Sequence, residues 1–214
     1  MEFQTKCKIC RAGPQKLIKK KKEYSYCPEC QFIFTLERYF PDPKTEKQRY
    51  LSHNNSMDNQ GYINFLTAFL KSSVFPYASP GSYILDFGCG HTPVLTYLLE
   101  KKGYRVTKYD KYFYPEKKYR GTKFDMIVLV EVIEHLSQPL KTLKNLKKHL
   151  TPKGIISINT RFHPGDPKDF LTWWYRRDPT HRSFFSQKTL QILAERLNFP
   201  TLSLKSEDKC VLSN

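Results

Sequence analysis

The spacing of hydrophobic positions changes along this chain. Between residues 60 and 74, Ile63, Phe65, Leu66, Phe69 and Leu70 recur at helical spacing. From residue 82 onward, short apolar runs alternate with helical stretches. Tyr83-Ile84-Leu85-Asp86-Phe87 predicts a strand, Pro93 to Lys101 a helix with Thr92 as its N-cap, and Tyr104 to Tyr109 a second strand. Phe124 to Val130 is so densely apolar that it predicts a strand buried on both faces of a parallel sheet. Pro139 to Leu150 follows as an amphipathic helix, Ile155 to Asn159 as a fourth strand, and Ser186 to about Leu197 as a capped helix. Thr201 to Leu204 and Lys209 to Leu212 predict a terminal antiparallel pair. The alternation implies an α/β fold, a three-layer sandwich around a mostly parallel sheet, with its ligand crevice at the C-terminal strand ends.

Upstream the pattern is different. Residues 1–40 carry few helix signals but hold Cys7-x2-Cys10 and Cys27-x2-Cys30, sixteen residues apart. Each hook can present two thiolates to one ion, and tetrahedral Zn²⁺ accepts four. A redox dithiol would lie in a βαβ context, which is absent here. With all four positions filled by thiolate, the ion would be a staple and not a Lewis acid. Pro41-Asp42-Pro43 reads as a joint. Thr45 to Leu51 and Gln60 to Val74 read as helices, so the expected division is a ribbon module (1–40), a helical linker or lid (41–80) and a Rossmann-like domain (81–214).

The strand ending at Phe87 runs into Gly88-Cys89-Gly90, a turn that lets the backbone pass close to a ligand. A pyrophosphate fingerprint would place a third glycine at position 93, where the chain has Pro93, which also lacks an amide to offer a phosphate. The loop is therefore read as serving a nucleoside without a pyrophosphate, and no P-loop sequence is present. Asp110, twenty residues after Gly90, has the spacing of a carboxylate that accepts both ribose hydroxyls; the alternative is a turn-forming Asp.

At these residues the chain resembles a known family. ILDFGCGHTPVL, the acid in YDKYF, and FDMIVLVEVIEHL followed by LTPKGIISI resemble the successive motifs of class I S-adenosylmethionine-dependent methyltransferases, above all the ubiquinone-biosynthesis-type methylases. WWYRRDPTHRSFFSQKTLQIL is similar to the post-core segment of small bacterial members that carry an N-terminal cysteine ribbon. The resemblance implies that S-adenosylmethionine is the cofactor and that Asp86, Gly88, Cys89 and Gly90 line its methionine side. It also implies that Asp110 holds the ribose and that Glu131 lies under the cofactor. Phe87, Lys111 and Tyr62 complete the candidate set, Tyr62 within an upstream segment (from His53) that closes the site in related enzymes. One departure stands out. Only about fourteen positions separate Asp110 from Phe124, too few for the family's helix, strand and helix. One strand–helix unit is expected to be missing, leaving about six strands. The family's adenine-contacting acid then has no counterpart, and Tyr112 or Phe113 is the substitute.

The methyl donor is already a strong electrophile, so alignment of the acceptor supplies much of the chemistry. Glu131-Val132-Ile133-Glu134-His135 lacks the leading His of an inverted zinc-protease motif. His135 is a catalytic candidate, against the alternative of acids favoured by a helix's first turn. In the loop from Trp173 to His181, His181 is the candidate base, Asp178 its orienting partner, and Trp, Tyr and Arg side chains the acceptor contacts; the alternative is a lid packing its aromatics on the core.

Charge widens the choice of acceptor. The 36 Lys and Arg against 20 Asp and Glu give a formal +16, which favours polyanions. Two enzyme readings follow: methylation of an RNA base, and methylation of a small metabolite such as a phenol or sugar with the ribbon purely structural. A non-catalytic zinc-ribbon protein is the third reading, disfavoured by the intact Gly-x-Gly and Asp110. A continuous basic face joining Lys19–Lys22, Lys144, Lys147, Lys148 and Arg176 to the cofactor mouth would favour RNA. The longest apolar run, Met126 to Val130, is too short for membrane insertion, and MEFQTKCKIC has no signal-peptide core, so a cytoplasmic location is expected. Oligomeric state leaves no mark on the sequence.

Overall fold

The computed structural model describes residues 6–13 and 16–213. The N-terminal part is a small antiparallel sheet of β1 (Lys16–Lys19), β2 (Glu23–Tyr26) and β3 (Ile33–Thr35). Helices α1 (Pro43–Leu51) and α2 (Gln60–Ser73) follow. The Pro-Asp-Pro segment is more than a joint: Asp42 caps α1, its Oδ1 accepting from the amides of Lys44 and Thr45 at 2.9 and 3.0 Å, so the helix begins at Pro43, earlier than expected.

The main sheet then builds by strand–helix alternation: β4 (Tyr83–Phe87), α3 (Val94–Lys101), β5 (Arg105–Tyr109), β6 (Phe124–Val130), α4 (Pro139–Lys147) and β7 (Leu150–Asn159). After α5 (Pro167–Thr172) and the two-residue strand β8 (Ser183–Phe184) come α6 (Gln187–Arg196), β9 (Thr201–Ser206) and β10 (Lys209–Ser213). The six strands are ordered β5-β4-β6-β7-β10-β9, with β5, β4, β6 and β7 mutually parallel and β10 antiparallel to both neighbours. The segment from Asp110 to β6 forms neither helix nor strand, only a single bridge between Asp110 and Tyr114. The sheet accordingly has six strands.

The period-2 alternation of β6 sorts its side chains to two cores. Ile127 and Leu129 join Leu140, Leu143 and Leu146 of α4 and Leu190, Leu193 and Ala194 of α6 on one face. Met126 and Val128 join Leu66, Phe69 and Leu70 of α2 and Val94, Leu95 and Leu99 of α3 on the other. The sheet and these two helical faces are the three layers, and α2 shares one of them with α3. Two expected boundaries move. Thr92 does not cap α3, because its hydroxyl pairs with His91 Nδ1 at 2.8 Å and the helix starts at Val94. Helix α4 ends at Lys147, and Thr151-Pro152-Lys153-Gly154 lies within β7 beside a register shift in β6.

The cysteine-bearing segment is joined to the rest. β8, far along the chain, pairs with β3 through Ile33↔Phe184 and Phe34↔Ser183. Cys7, Cys27, Cys30, Phe32 and Phe34 belong to the same buried cluster as α4 and α6. Thr189 Oγ1 donates to the Cys30 carbonyl at 2.8 Å, and Arg196 donates to the Cys10 carbonyl. No helix among the described residues is long and apolar enough to cross a membrane.

Candidate functional site

The C-terminal ends of β4, β5 and β6 open into a cavity of about 850 Å³. Gly88 takes φ +87°, and a Cβ there would come within 2.4 Å of Val132 Cγ2; Gly90 takes φ +71° with nothing within 4 Å of where its Cβ would be. Glycine is thus required twice, once for packing and once for backbone conformation. The Gly88 and Cys89 amides donate to the Tyr109 carbonyl, tying the turn to β5. Phe87, Gly88, Cys89, Gly90, Asp110, Lys111, Glu131 and Tyr62 all line the cavity, as do His135, Asp178 and His181.

Asp86 departs from this set. It is 2% exposed and absent from the lining; its Oδ2 accepts from Thr96 Oγ1 at 2.7 Å, and burial pushes its carboxyl up to about 6. Its side chain anchors α3 behind the loop and does not line the cavity. Asp110 uses Oδ2 to accept from the Gly90 amide at 3.2 Å and Oδ1 to accept from the amides of Tyr112 and Phe113 at 2.8 and 3.2 Å. It is a turn former that also faces the cavity. Lys111 turns its ammonium to Glu46 Oε2 at 2.9 Å. Tyr112 also spends its hydroxyl on Glu46, at 2.8 Å, whereas Phe113 is at the cavity wall.

Glu131 sits at the exit of β6 with φ +53°, a left-handed conformation uncommon away from glycine. Its Oε2 lies 3.0 Å from Tyr175 Oη, which lies 2.5 Å from Glu134 Oε1. A phenol has one proton, so one of these contacts is donated by a carboxyl. Burial drives the fully buried Glu134 well above the usual carboxylate range and Glu131 up to about 7. The chain therefore runs from the Glu134 acid to Tyr175 to the Glu131 carboxylate.

His181 and Asp178 do not form the expected pair. Asp178 Oδ2 accepts from Arg49 Nε and Nη2 at 3.0 and 2.7 Å, and Oδ1 accepts from the amide and hydroxyl of Thr180. The His181 ring is held instead by the Tyr175 carbonyl, 2.8 Å from Nδ1. His135 Nδ1 likewise faces the Thr180 carbonyl at 3.2 Å. Burial lowers His181 to about 4 and His135 to about 3, so both rings are neutral at neutral pH.

Sequence reasoning missed the contribution of α1. Arg49 and Tyr50 line the cavity, and Glu46, 2% exposed, accepts from Tyr50, Lys111, Tyr112 and Arg182 at 2.7–2.9 Å. Burial alone would raise this carboxyl, yet the four donors hold it below its ordinary value. His91 and Arg161 also line the cavity unforeseen, whereas Arg177 comes from the loop whose arginines were expected there.

At the N-terminal hooks, Cys7 Sγ lies 3.5 Å from Cys30 Sγ, and Cys10 Sγ 3.5 Å from Cys27 Sγ. All four sulfurs fall within 4.8 Å of one another. A tetrahedral zinc thiolate requires sulfurs about 3.8 Å apart, so the donor set fits.

Residues 50–204 match the family model for the methyltransferase domain. The chain belongs to that family. Its fold is that of methyltransferases of known structure. One is 1,6-didemethyltoxoflavin-N1-methyltransferase of Burkholderia thailandensis with S-adenosylhomocysteine bound (TM-score 0.53, 14% identity, 94% of this chain and 97% of that one). Another is an SAH-bound methyltransferase of calicheamicin biosynthesis (TM-score 0.54, 13% identity, 80% and 57%). In sequence, 91 residues are 37% identical to the tRNA U34 carboxymethyltransferase of Campylobacter fetus, over 40% of this chain and 32% of that protein. This chain thus spans about a third of the length of that curated relative.

Proposed function

We propose that this methyltransferase-family chain uses S-adenosylmethionine and delivers its methyl group to a single anionic acceptor group seated in the same cavity. The observation that carries the reading is the convergence of Gly88–Gly90, Asp110 and Glu131 on one cavity at the strand ends. Asp110 would hold the ribose hydroxyls, the glycine turn would pass under the methionine part, and Glu131 and Phe113 would flank the nucleoside. S-adenosylhomocysteine in the structural relatives supports the same cofactor here. The cavity is large enough to take an acceptor beside the cofactor, and Arg161 and Arg177 on its wall suit a carboxylate or phosphate. Zn²⁺ would be held by Cys7, Cys10, Cys27 and Cys30 and would supply folding energy to a segment whose strands are three or four residues long.

A small metabolite suits the basic residues better than a long polyanion track does. Lys147 is committed to the carbonyls of Leu197 and Asn198 at the end of α6, Lys20 to the Leu171 carbonyl, and Arg176 to the Leu171 carbonyl and the Tyr24 hydroxyl. These contacts tie three of the expected cations to the protein's own polar groups, which weighs against a basic path built for RNA. RNA remains the second reading, favoured by the net +16, by Trp174 standing 59% exposed at the rim, and by the partial likeness to a tRNA-modifying enzyme. Labelled methyl groups from S-adenosylmethionine, offered with RNA and with a small-molecule extract, separate the two. Label in small anionic products is expected. Label in a ribonuclease-sensitive fraction would establish the second reading, and label in neither would contradict the proposal.

A further inference from the structure

Beside the cofactor loop, Glu134, His135 and His181 each present a ligating atom, all within 4.8 Å of one another. The two imidazoles are arranged in the same way. Each Nδ1 faces a backbone carbonyl, Thr180 for His135 and Tyr175 for His181. A carbonyl can only accept, so each Nδ1 carries the ring proton and each Nε2 of the neutral ring keeps its lone pair. This carbonyl-held tautomer is the one that metal-ligating histidines adopt. Glu134 is fully buried, its Oε2 has no hydrogen-bond partner, and no ion pair among the described residues reaches it. Both histidines line the cavity.

We propose that Glu134, His135 and His181 form a second metal site, for a divalent first-row transition ion, separate from the cysteine ribbon. Metal entry would release the Glu134 proton to solvent, and the donor set is then two imidazoles and one carboxylate, which suits zinc, cobalt, manganese or iron and not calcium. Three ligands at about 2.1 Å from one ion lie roughly 3.4 Å apart in a tetrahedron, so small side-chain rotations close the site. The His135 and His181 rings lie 4.9 Å apart between centroids and both line the cavity, within reach of an acceptor seated there. There the ion would orient and polarise an oxygen of the acceptor, a role that rests on the methyltransferase reading; the site itself does not.

The test is a Co²⁺ titration of the full chain with its ribbon already filled by zinc, followed by metal analysis and visible absorption. One further equivalent is expected, with weak ligand-field bands and no sulfur-to-cobalt charge transfer. His135→Asn and His181→Asn should each weaken uptake at least about tenfold while leaving ribbon zinc in place. Glu134→Gln serves as a third variant should either fail to melt cooperatively. Absence of a further equivalent in the wild type overturns the proposal, as does thiolate absorption on cobalt addition or undiminished uptake in the folded variants. Because S-adenosylmethionine binding is measured separately, failure of the metal site is distinguishable from failure of the cofactor assignment.

Discussion

Glu131 lines the cavity proposed for S-adenosylmethionine, and burial raises its carboxyl to about 7. A cationic ligand favours its ionised form. S-adenosylmethionine binding should therefore release protons just below about pH 7 and tighten as pH rises toward that value. Calorimetry in buffers of different ionisation enthalpy reads this directly; a buffer-independent heat at pH 6.5 would contradict it. Glu46 makes a different prediction. Removing this buried carboxylate strands the largely buried Arg182 and takes the acceptor from the Tyr50 and Tyr112 hydroxyls, so Glu46→Ala should cost about 3 kcal/mol in denaturant unfolding. Gly88→Ala should cost a similar ~3 kcal/mol, from the positive φ and the Val132 overlap. Val132→Ala on that background should recover the overlap but not the φ penalty, and no recovery would place the whole cost in the backbone.

Among the elements, the predictable ones were those whose own residues carry the period. β4, β6, α2 and the Gly-x-Gly turn are legible because local geometry sets their spacing, with the strands apolar toward both helical layers and α2 apolar toward one. The short connection after Asp110 was equally legible, since chain length alone forbids a further strand–helix unit there. α1 was legible as a helix over Thr45 to Leu51, but its place was not: PKTEKQRYL has almost no apolar face, and its position is fixed by Glu46 meeting donors from residues 50, 111, 112 and 182. The partner of Asp178 was hidden for the same reason, because Arg49 lies 129 positions away in the chain. β8 shows the limit most plainly, as two residues have no readable period yet complete the ribbon's sheet. That pairing, with the shared core, means that zinc removal should not leave an intact catalytic domain. Chelation is expected to lower the Tm of one cooperative transition; two separate transitions would show an independent ribbon.

For the molecule as a whole, three histidines set an acid limit, His163 and His181 buried and His135 half-buried. His135, His163 and His181 are held at about 3, 4 and 4, below the ordinary value of about 6.5. The unfolded chain takes up these protons as pH falls below about 6.5 while the folded chain does not. Stability from these groups should be complete above that pH and decline toward pH 4, a trend that denaturant midpoints across the range would reveal. The central claim is that the cavity at the ends of β4, β5 and β6 holds S-adenosylmethionine through Asp110 and the glycine turn. The most direct test is calorimetric titration of the zinc-loaded protein with S-adenosylmethionine, beside Asp110→Ala and Asp110→Asn variants shown to be folded. Micromolar binding is predicted, weakened roughly tenfold or more when the charged acceptor is lost. A folded wild-type protein that binds no cofactor, or variants that bind as tightly as wild type, would contradict it.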